Sequence, residues 1–79
     1  SVAMDVGKLV RMANQIAVNF QYDPSKKQAV DATLDHMSRF WSPPMREQII
    51  VHFREGETEL NEIASLAVSG LAEGKRHVI

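Results

Sequence analysis

The side chains able to carry chemistry occur in this sequence without the spacings that reactions require. His36, His52 and His77 lie far apart and form neither a His-Glu-x-x-His motif nor an i, i+4 pair, the usual spacings of zinc ligands on a helix. The absence of cysteine excludes a disulfide framework, a thiolate nucleophile and a cysteine-ligated zinc. We therefore expect no metal to be bound by this chain, and we expect His52 to be a partly buried, hydrogen-bonded side chain.

Carboxylate, serine and glycine residues are equally dispersed. Asp31 and Asp35 fall on a predicted outer helix face, and the glutamates between residues 55 and 62 fall in or beside a predicted linker. Neither group lies in the enclosed pocket that acid–base catalysis requires. No serine lies in a Gly-x-Ser-x-Gly motif, and the four glycines are too scattered to cradle a phosphate. The sequence thus predicts a protein without catalytic residues and without a bound cofactor.

Length and composition restrict the architecture further. A chain of 79 residues, 44% of them hydrophobic and 24% charged, has room for one small domain. No uninterrupted apolar run exceeds three residues, so we expect no membrane span. Nine basic against ten acidic residues give a net charge of −1, which disfavours nucleic-acid binding. We expect a cytoplasmic domain over residues 4–73, with a tag remnant at 1–3 and a flexible tail at 74–79.

Hydrophobic periodicity predicts the first two helices. Apolar residues at i, i+3, i+4 and i+7 spacing indicate a helix over residues 6–21 with Asp5 as its N-cap. A second helix is expected to begin at Pro24, behind an Asp23 cap, and to end near Trp41. Its core-facing side chains are Val30, Leu34, Met37 and Trp41.

Proline and glycine residues predict the remaining helices. The Ser42-Pro43-Pro44 segment should end the second helix and provide the cap and first turn of a third, over about residues 43–55. Gly56 is placed to end that helix in the left-handed conformation. A fourth helix should begin at Leu60 or Asn61 and end near Glu73, capped by either Thr58 or Asn61. Short linkers between four helices predict an all-α fold, a small antiparallel bundle.

Apolar residues outnumber the positions that so small a core can hide. Six of them lie off the main apolar helix faces: Met12, Val18, Ile50, Val51, Leu66 and Val68. Because contiguous exposed apolar surface marks interfaces, the sequence predicts an interaction domain. An aromatic pair beside arginine and a rigid proline turn has the composition of a binding hot spot, although Trp41 is equally suited to the centre of the core. The predicted partner-binding residues are Arg39, Phe40, Trp41, Pro43, Met45 and Arg46.

Two sequence blocks resemble the small delta subunit of NAD-dependent formate dehydrogenases. The first block is Arg11-Met12-Ala13-Asn14-Gln15-Ile16-Ala17. The second is Asp35-His36-Met37-Ser38-Arg39-Phe40-Trp41, followed by Pro43 and Met45-Arg46. The similarity extends from about Lys8 to Leu71. The chain departs from the family pattern at Pro44, where the family has an arginine.

This resemblance implies a cytoplasmic accessory subunit of a soluble, multisubunit formate dehydrogenase. In that family the alpha subunit carries a molybdenum or tungsten bis-pterin cofactor and iron–sulfur clusters, while other subunits carry flavin and the NAD site. The delta subunit carries no cofactor. By resemblance, this chain is expected to dock on the alpha subunit and to aid its assembly, stability or cofactor acquisition.

Other functions stay open at this point. A transient chaperone that inserts the molybdenum–pterin cofactor would need Lys8, Arg11 and Arg46 to converge on a phosphate-binding patch. A free-standing homodimer would cover the apolar faces with a second copy of the chain. A DNA-binding helix is suggested by the polar side chains of the third helix, which are Arg46, Gln48, His52 and Arg54. The proline entry, the apolar circumference of that helix and the near-zero net charge leave too few phosphate contacts.

Overall fold

The computed structural model describes residues 5–56 and 59–74, which form four helices and, within those ranges, no strand. The helices are α1 (Val6–Phe20), α2 (Lys26–Phe40), α3 (Pro43–Arg54) and α4 (Glu62–Ala72). The predicted all-α fold of four short helices is confirmed, and no helix end differs from its expected position by more than two residues. The predicted tag remnant at 1–3 and all of the predicted tail except Gly74 lie outside the described ranges.

The start of α2 differs from its prediction. Ser25, rather than Asp23, is the N-cap, and its Oγ accepts a hydrogen bond from the Gln28 backbone N–H at 3.1 Å. Asp23 is part of the turn that follows α1, because its N–H donates to the Phe20 carbonyl at 3.0 Å. The prediction of Pro24 as the first helical residue was therefore wrong, since a serine directly before the helix competes successfully for the cap.

Other helix boundaries follow their local signals. Asp5 caps α1 by accepting from the Gly7 N–H at 3.0 Å. Asn61 caps α4, accepting from the Ala64 N–H at 2.8 Å, and the alternative cap Thr58 lies outside the described residues. Gly56 has a φ of +95°, the left-handed conformation expected after α3. Ser42 occupies the N-cap position of α3 without a side-chain hydrogen bond, and the prolines at the first two helical positions have no N–H that would need one.

The helices α2 and α4 run in the same direction and form the most extensive helix pair. Lys26 and Glu62, at the starts of the two helices, form an ion pair at 2.9 Å. Further along, Leu34 packs against Gly70, so closely that a Cβ on that glycine would lie 3.1 Å from the Leu34 Cδ2. α1 is antiparallel to both, since the start of α4 lies beside the end of α1, where Val18 and Ile63 line one small cavity.

α3 connects the carboxyl ends of α2 and α4. Arg46, near the start of α3, donates to carbonyl oxygens at the end of α2. Arg54, the last residue of α3, donates from Nη2 to the Ala72 carbonyl at 3.0 Å. The carboxyl end of a helix carries partial negative charge and unsatisfied carbonyls. The two arginines of α3 therefore stabilise the ends of both co-directional helices.

The core contains side chains from all four helices and one residue of a linker. Its fully or nearly fully buried apolar members are Leu9, Val10, Ala13, Ala17, Ala29, Leu34, Met37, Trp41, Ile49, Ala64, Ala67 and Val68. The one buried polar side chain described is that of Thr33, whose Oγ1 donates to the Ala29 carbonyl at 2.8 Å. This local bond satisfies the hydroxyl without a partner on another helix.

The predicted surplus of apolar surface is present, with one correction. Val18, Val51 and Leu66 are exposed, and Met12 and Ile50 are partly buried against the core. Val68 was predicted to lie off the main face, but it is fully buried. Because α4 packs against all three other helices, it buries more of its circumference than the single apolar face assumed in the prediction.

Candidate docking surface

Three rings from α1 and α2 form an aromatic face, defined here as Phe20, His36 and Phe40. The His36 ring lies edge-on to Phe20, with centroids 6.4 Å apart, and is tilted against Phe40 at 4.8 Å. His36 and Phe40 meet because they are four residues apart on one helix. Such edge and tilted contacts stabilise aromatic clusters beyond the area that they bury.

Phe40 and its neighbour Trp41 have opposite environments. The Phe40 side chain is 70% exposed at the last residue of α2, whereas Trp41 is 4% exposed and belongs to the core. Trp41 is the C-cap residue, with an extended backbone that turns its side chain away from the helix direction. Of the two aromatic residues predicted to bind a partner, only Phe40 is presented to solvent.

Arg39 lies beside the aromatic face, on the next stripe of α2. Its Nε donates to Asp35 Oδ1 at 2.9 Å, an i, i+4 ion pair in which Asp35 is largely covered. Within the described part of the chain, the two terminal nitrogens of Arg39 have no hydrogen-bond partner. A guanidinium held by Nε in this way can still present a planar pair of donors to a carboxylate.

Arg46 points into the molecule rather than toward a partner. Its Nη1 donates to the Ser38 carbonyl at 3.0 Å and to the Trp41 carbonyl at 2.7 Å, in a partly buried position. This geometry uses the arginine to hold the α2–α3 corner together. Arg46 therefore does not supply the phosphate-binding patch that the cofactor-chaperone alternative requires.

The remaining predicted contact residues lie around the same corner. Pro43 and Pro44 are exposed in the first turn of α3, and Met45 is partly buried against the core. The predicted site thus divides into an outward part, Arg39 with Phe40 and Pro43, and an inward part, which consists of Trp41, Met45 and Arg46.

Sequence reasoning missed two members of the aromatic face. Phe20 is part of the first predicted helix but was not named as a contact residue, and the only chemistry weighed for His36 was metal binding. The i, i+4 spacing of His36 and Phe40 was a signal that could have paired them. The contact with Phe20 depends on how α1 crosses α2, which no local pattern specifies.

Two other kinds of site are absent from residues 5–56 and 59–74. No group of three or more histidine, aspartate or glutamate side chains there could hold a metal ion. None of the described helices has the length and hydropathy of a bilayer span. His52 is partly buried, as predicted, and it has an interaction partner.

Comparison with known proteins adds one match. Residues 8–68 match the family model described as NADH-dependent formate dehydrogenase delta subunit FdsD. The match covers both blocks that carry the resemblance, from Arg11 to Ala17 and from Asp35 to Arg46. No curated protein and no solved structure gives a significant match.

Proposed function

This chain belongs to the family of NADH-dependent formate dehydrogenase delta subunits, and from that premise we propose that it is a cytoplasmic, non-catalytic accessory subunit. In this proposal it docks on the catalytic alpha subunit of its formate dehydrogenase through the aromatic face and Arg39. It binds no cofactor of its own. Its contribution to the enzyme is binding energy, which aids the assembly, stability or cofactor acquisition of the larger subunit.

The observation that carries the proposal is the exposure of Phe40. The core is complete without this ring, which is 70% exposed although the adjacent Trp41 is nearly fully buried. Exposed single apolar residues are common, but Phe40 packs against the His36 ring, which in turn contacts Phe20. A pre-positioned aromatic side chain loses little conformational entropy on binding and is typical of an interface anchor.

Arg39 indicates the chemistry of the matching surface. Its free terminal nitrogens lie next to an exposed phenyl ring, so the complementary site is an apolar recess with a carboxylate at its edge. Arginine is enriched at interfaces because its guanidinium pairs bidentately with carboxylates while its aliphatic stem packs on apolar surface. We therefore place an aspartate or glutamate of the alpha subunit opposite Arg39.

The non-catalytic role is supported by how the described ionisable residues are used. Asp31 and Asp35 pair at the surface with Lys27 and Arg39, and His36 is part of the aromatic face. None of these side chains lies in an enclosed pocket with a nucleophile or a general base beside it. A subunit that binds only the folded form of its partner stabilises that form by mass action, by about 2.7 kcal/mol at a hundredfold excess over Kd.

The test is co-expression of this chain with the other subunits of its formate dehydrogenase, followed by purification through a tag on the alpha subunit. Phe40→Ser should weaken the association at least about tenfold, as expected for a hot-spot aromatic side chain. Tyr22→Ser is the matched control, because Tyr22 is an aromatic residue that is 90% exposed and lies outside the aromatic face. Equal co-purification of Phe40→Ser and the unsubstituted chain would refute docking through this face.

The same purification separates an accessory subunit from a transient chaperone. A subunit is present in stoichiometric amount in the active enzyme, whereas an insertion chaperone is absent from it. Arg46 donates to backbone carbonyls, so one of the three cations that a cofactor phosphate would need is already used. This observation favours the accessory subunit over the chaperone. Absence of this chain from the active complex would reverse that choice.

A further inference from the structure

Two outward residues of the candidate docking surface lie between carbonyl groups that accept hydrogen bonds from one side chain. Arg39 and Phe40, called here the docking pair, are the last two residues of α2. Arg46 Nη1 donates to the Ser38 carbonyl at 3.0 Å and to the Trp41 carbonyl at 2.7 Å. One partly buried guanidinium therefore holds the peptide groups on both sides of the docking pair.

The end of α2 depends on these donors because the chain that follows supplies few. The last carbonyls of a helix have no partner within the helix itself. The backbone contributes the bond from the Trp41 N–H to the Met37 carbonyl at 3.1 Å. Beyond Ser42, the prolines at residues 43 and 44 have no N–H to donate to the carbonyls of the final turn. Without the Arg46 guanidinium, this turn would be prone to fray.

The direction of the docking pair is set by the backbone of that turn. Trp41 is 4% exposed, so its side chain anchors the following residue to the core, but the Phe40 ring is 70% exposed and gains no such anchor. Rotation of the last turn would move Phe40 away from the His36 ring against which it is tilted. It would also move Arg39 relative to the rest of the surface.

We infer that Arg46 is a positioning residue of the docking surface. It contacts no partner, and it holds the last turn of α2 in the conformation that presents the Phe40 ring and the Arg39 guanidinium together. This inference rests on the docking proposed above and adds to it a residue that acts from inside the molecule. Because a surface that is correctly formed only part of the time binds more weakly by that fraction, loss of the Arg46 donors raises Kd without removing a contact.

The experiment is a competition within the complete enzyme. The unsubstituted chain and one variant are co-expressed with the other subunits of the formate dehydrogenase, and the enzyme is purified through a tag on the alpha subunit. Mass spectrometry then compares the ratio of the two chains in the enzyme with their ratio in the lysate. Arg46→Met keeps the aliphatic stem but removes the donors, and it should be under-represented about tenfold if the docking conformation is populated about a tenth of the time. Arg46→Lys keeps a cationic donor and should be displaced less.

Asn14→Ala is the matched control for a general loss of stability. It also removes two hydrogen bonds between separate segments, those of Asn14 to Glu59 and Asn61, at the start of α4 rather than at the end of α2. A variant that stays mainly folded keeps nearly all of its affinity when only its global stability falls. Asn14→Ala should therefore compete like the unsubstituted chain, and circular dichroism verifies that each variant is folded.

Hydrogen exchange of the free chain gives a readout that needs no partner. The Trp41 N–H closes the final turn of α2, so its exchange reports local opening at that helix end. Arg46→Met should accelerate exchange at Trp41, whereas Asn14→Ala should leave it unchanged. Unchanged exchange at Trp41 in Arg46→Met would contradict the inference.

Combining Arg46→Met with Phe40→Ser separates positioning from independent action. If Arg46 acts through the docking pair, the double variant should be displaced by less than the product of the two single effects. Losses that multiply would show that Arg46 acts independently of Phe40, and the inference would then be wrong.

Two further results would overturn the inference. One is equal competition by Arg46→Met and the unsubstituted chain, and the other is equal displacement of Arg46→Met and Asn14→Ala. Should Arg46→Met fail to fold, the same comparisons apply to Arg46→Lys. Displacement of Phe40→Ser without displacement of the Arg46 variant would refute the positioning role alone, whereas equal competition by Phe40→Ser would refute the docking proposal itself.

Discussion

The Nη1 of Arg46 lies 2.7 Å from the carbonyl oxygen of Trp41, so an arginine in the first turn of α3 bonds back to the residue that ends α2. The Ser42-Pro43-Pro44 segment between them lacks two backbone N–H groups. The guanidinium therefore provides a donor where the backbone has none, and it fixes the angle at which α3 leaves α2.

Arg46→Ala should lower the free energy of unfolding by about 2 kcal/mol, since it removes two hydrogen bonds from a charged, partly buried donor. Urea denaturation followed by circular dichroism measures the loss. Arg11→Ala provides the control, because Arg11 is an exposed arginine whose loss should change stability by less than about 0.5 kcal/mol. An unchanged denaturation midpoint for Arg46→Ala would show that these two hydrogen bonds do not stabilise the α2–α3 corner.

Trp41→Ala should destabilise the fold by about 3–5 kcal/mol, because it empties the position of a nearly fully buried aromatic side chain. Phe40→Ala should cost no more than about 1.5 kcal/mol, since that ring is mostly exposed and loses little beyond its contact with His36. Denaturation of both variants measures the contrast. Similar losses at the two positions would show that Phe40 supports the core, and would weaken its assignment as a docking residue.

Asn14→Ala should lower stability by about 1–2 kcal/mol through the loss of two hydrogen bonds that join α1 to the segment before α4. The Asn14 Nδ2 donates to the Glu59 carbonyl at 2.9 Å, and its Oδ1 accepts from the Asn61 N–H at 2.8 Å. Asn14→Asp keeps only the acceptor and should lose about half as much. Asn19→Ala is the control, since Asn19 is exposed and bonds only to Gln15 within α1. Equal stability of Asn14→Ala and Asn19→Ala would show that the hydrogen bonds of Asn14 to Glu59 and Asn61 do not stabilise the fold.

Gly56→Ala should destabilise the chain by about 1 kcal/mol, because alanine is strained at a φ of +95° although nothing lies within 4 Å of the added Cβ. Gly7→Ala should have the opposite sign, a gain of up to about 0.5 kcal/mol, since Gly7 lies inside α1 and its Cβ would meet only ordinary contacts. Thermal denaturation compares the two variants. A stabilised Gly56→Ala would contradict the left-handed assignment.

The parts of the fold that sequence predicted are those determined by neighbouring residues. Asp5 and Gly56 act within one turn of their own helix ends, so local spacing was sufficient to assign both. At the start of α2, Asp23 and Ser25 were both suitable caps, and only the path of the turn after Phe20 decides between them. Local signals therefore locate a helix end to within about two residues where caps compete.

The candidate site was predicted only in part, for a different physical reason. The α2–α3 corner was identified from its composition, yet composition does not say which of two consecutive aromatic residues faces inward. That depends on the backbone turn at Trp41, which is extended while Phe40 is still helical. The contacts of Asn14 with Asn61 and of Arg54 with Ala72 join distant segments, and no periodic pattern contains them.

The pairing of α2 with α4 determines when this chain can become stable as it is made. Lys26 and Glu62 are 36 residues apart, and Asn14 reaches a partner 47 residues further along. Contacts this distant in sequence form late, since a long loop must close first. A nascent chain that lacks α4 would have to leave the inner side of α2 uncovered, so the fold becomes stable only after α4 has been synthesised.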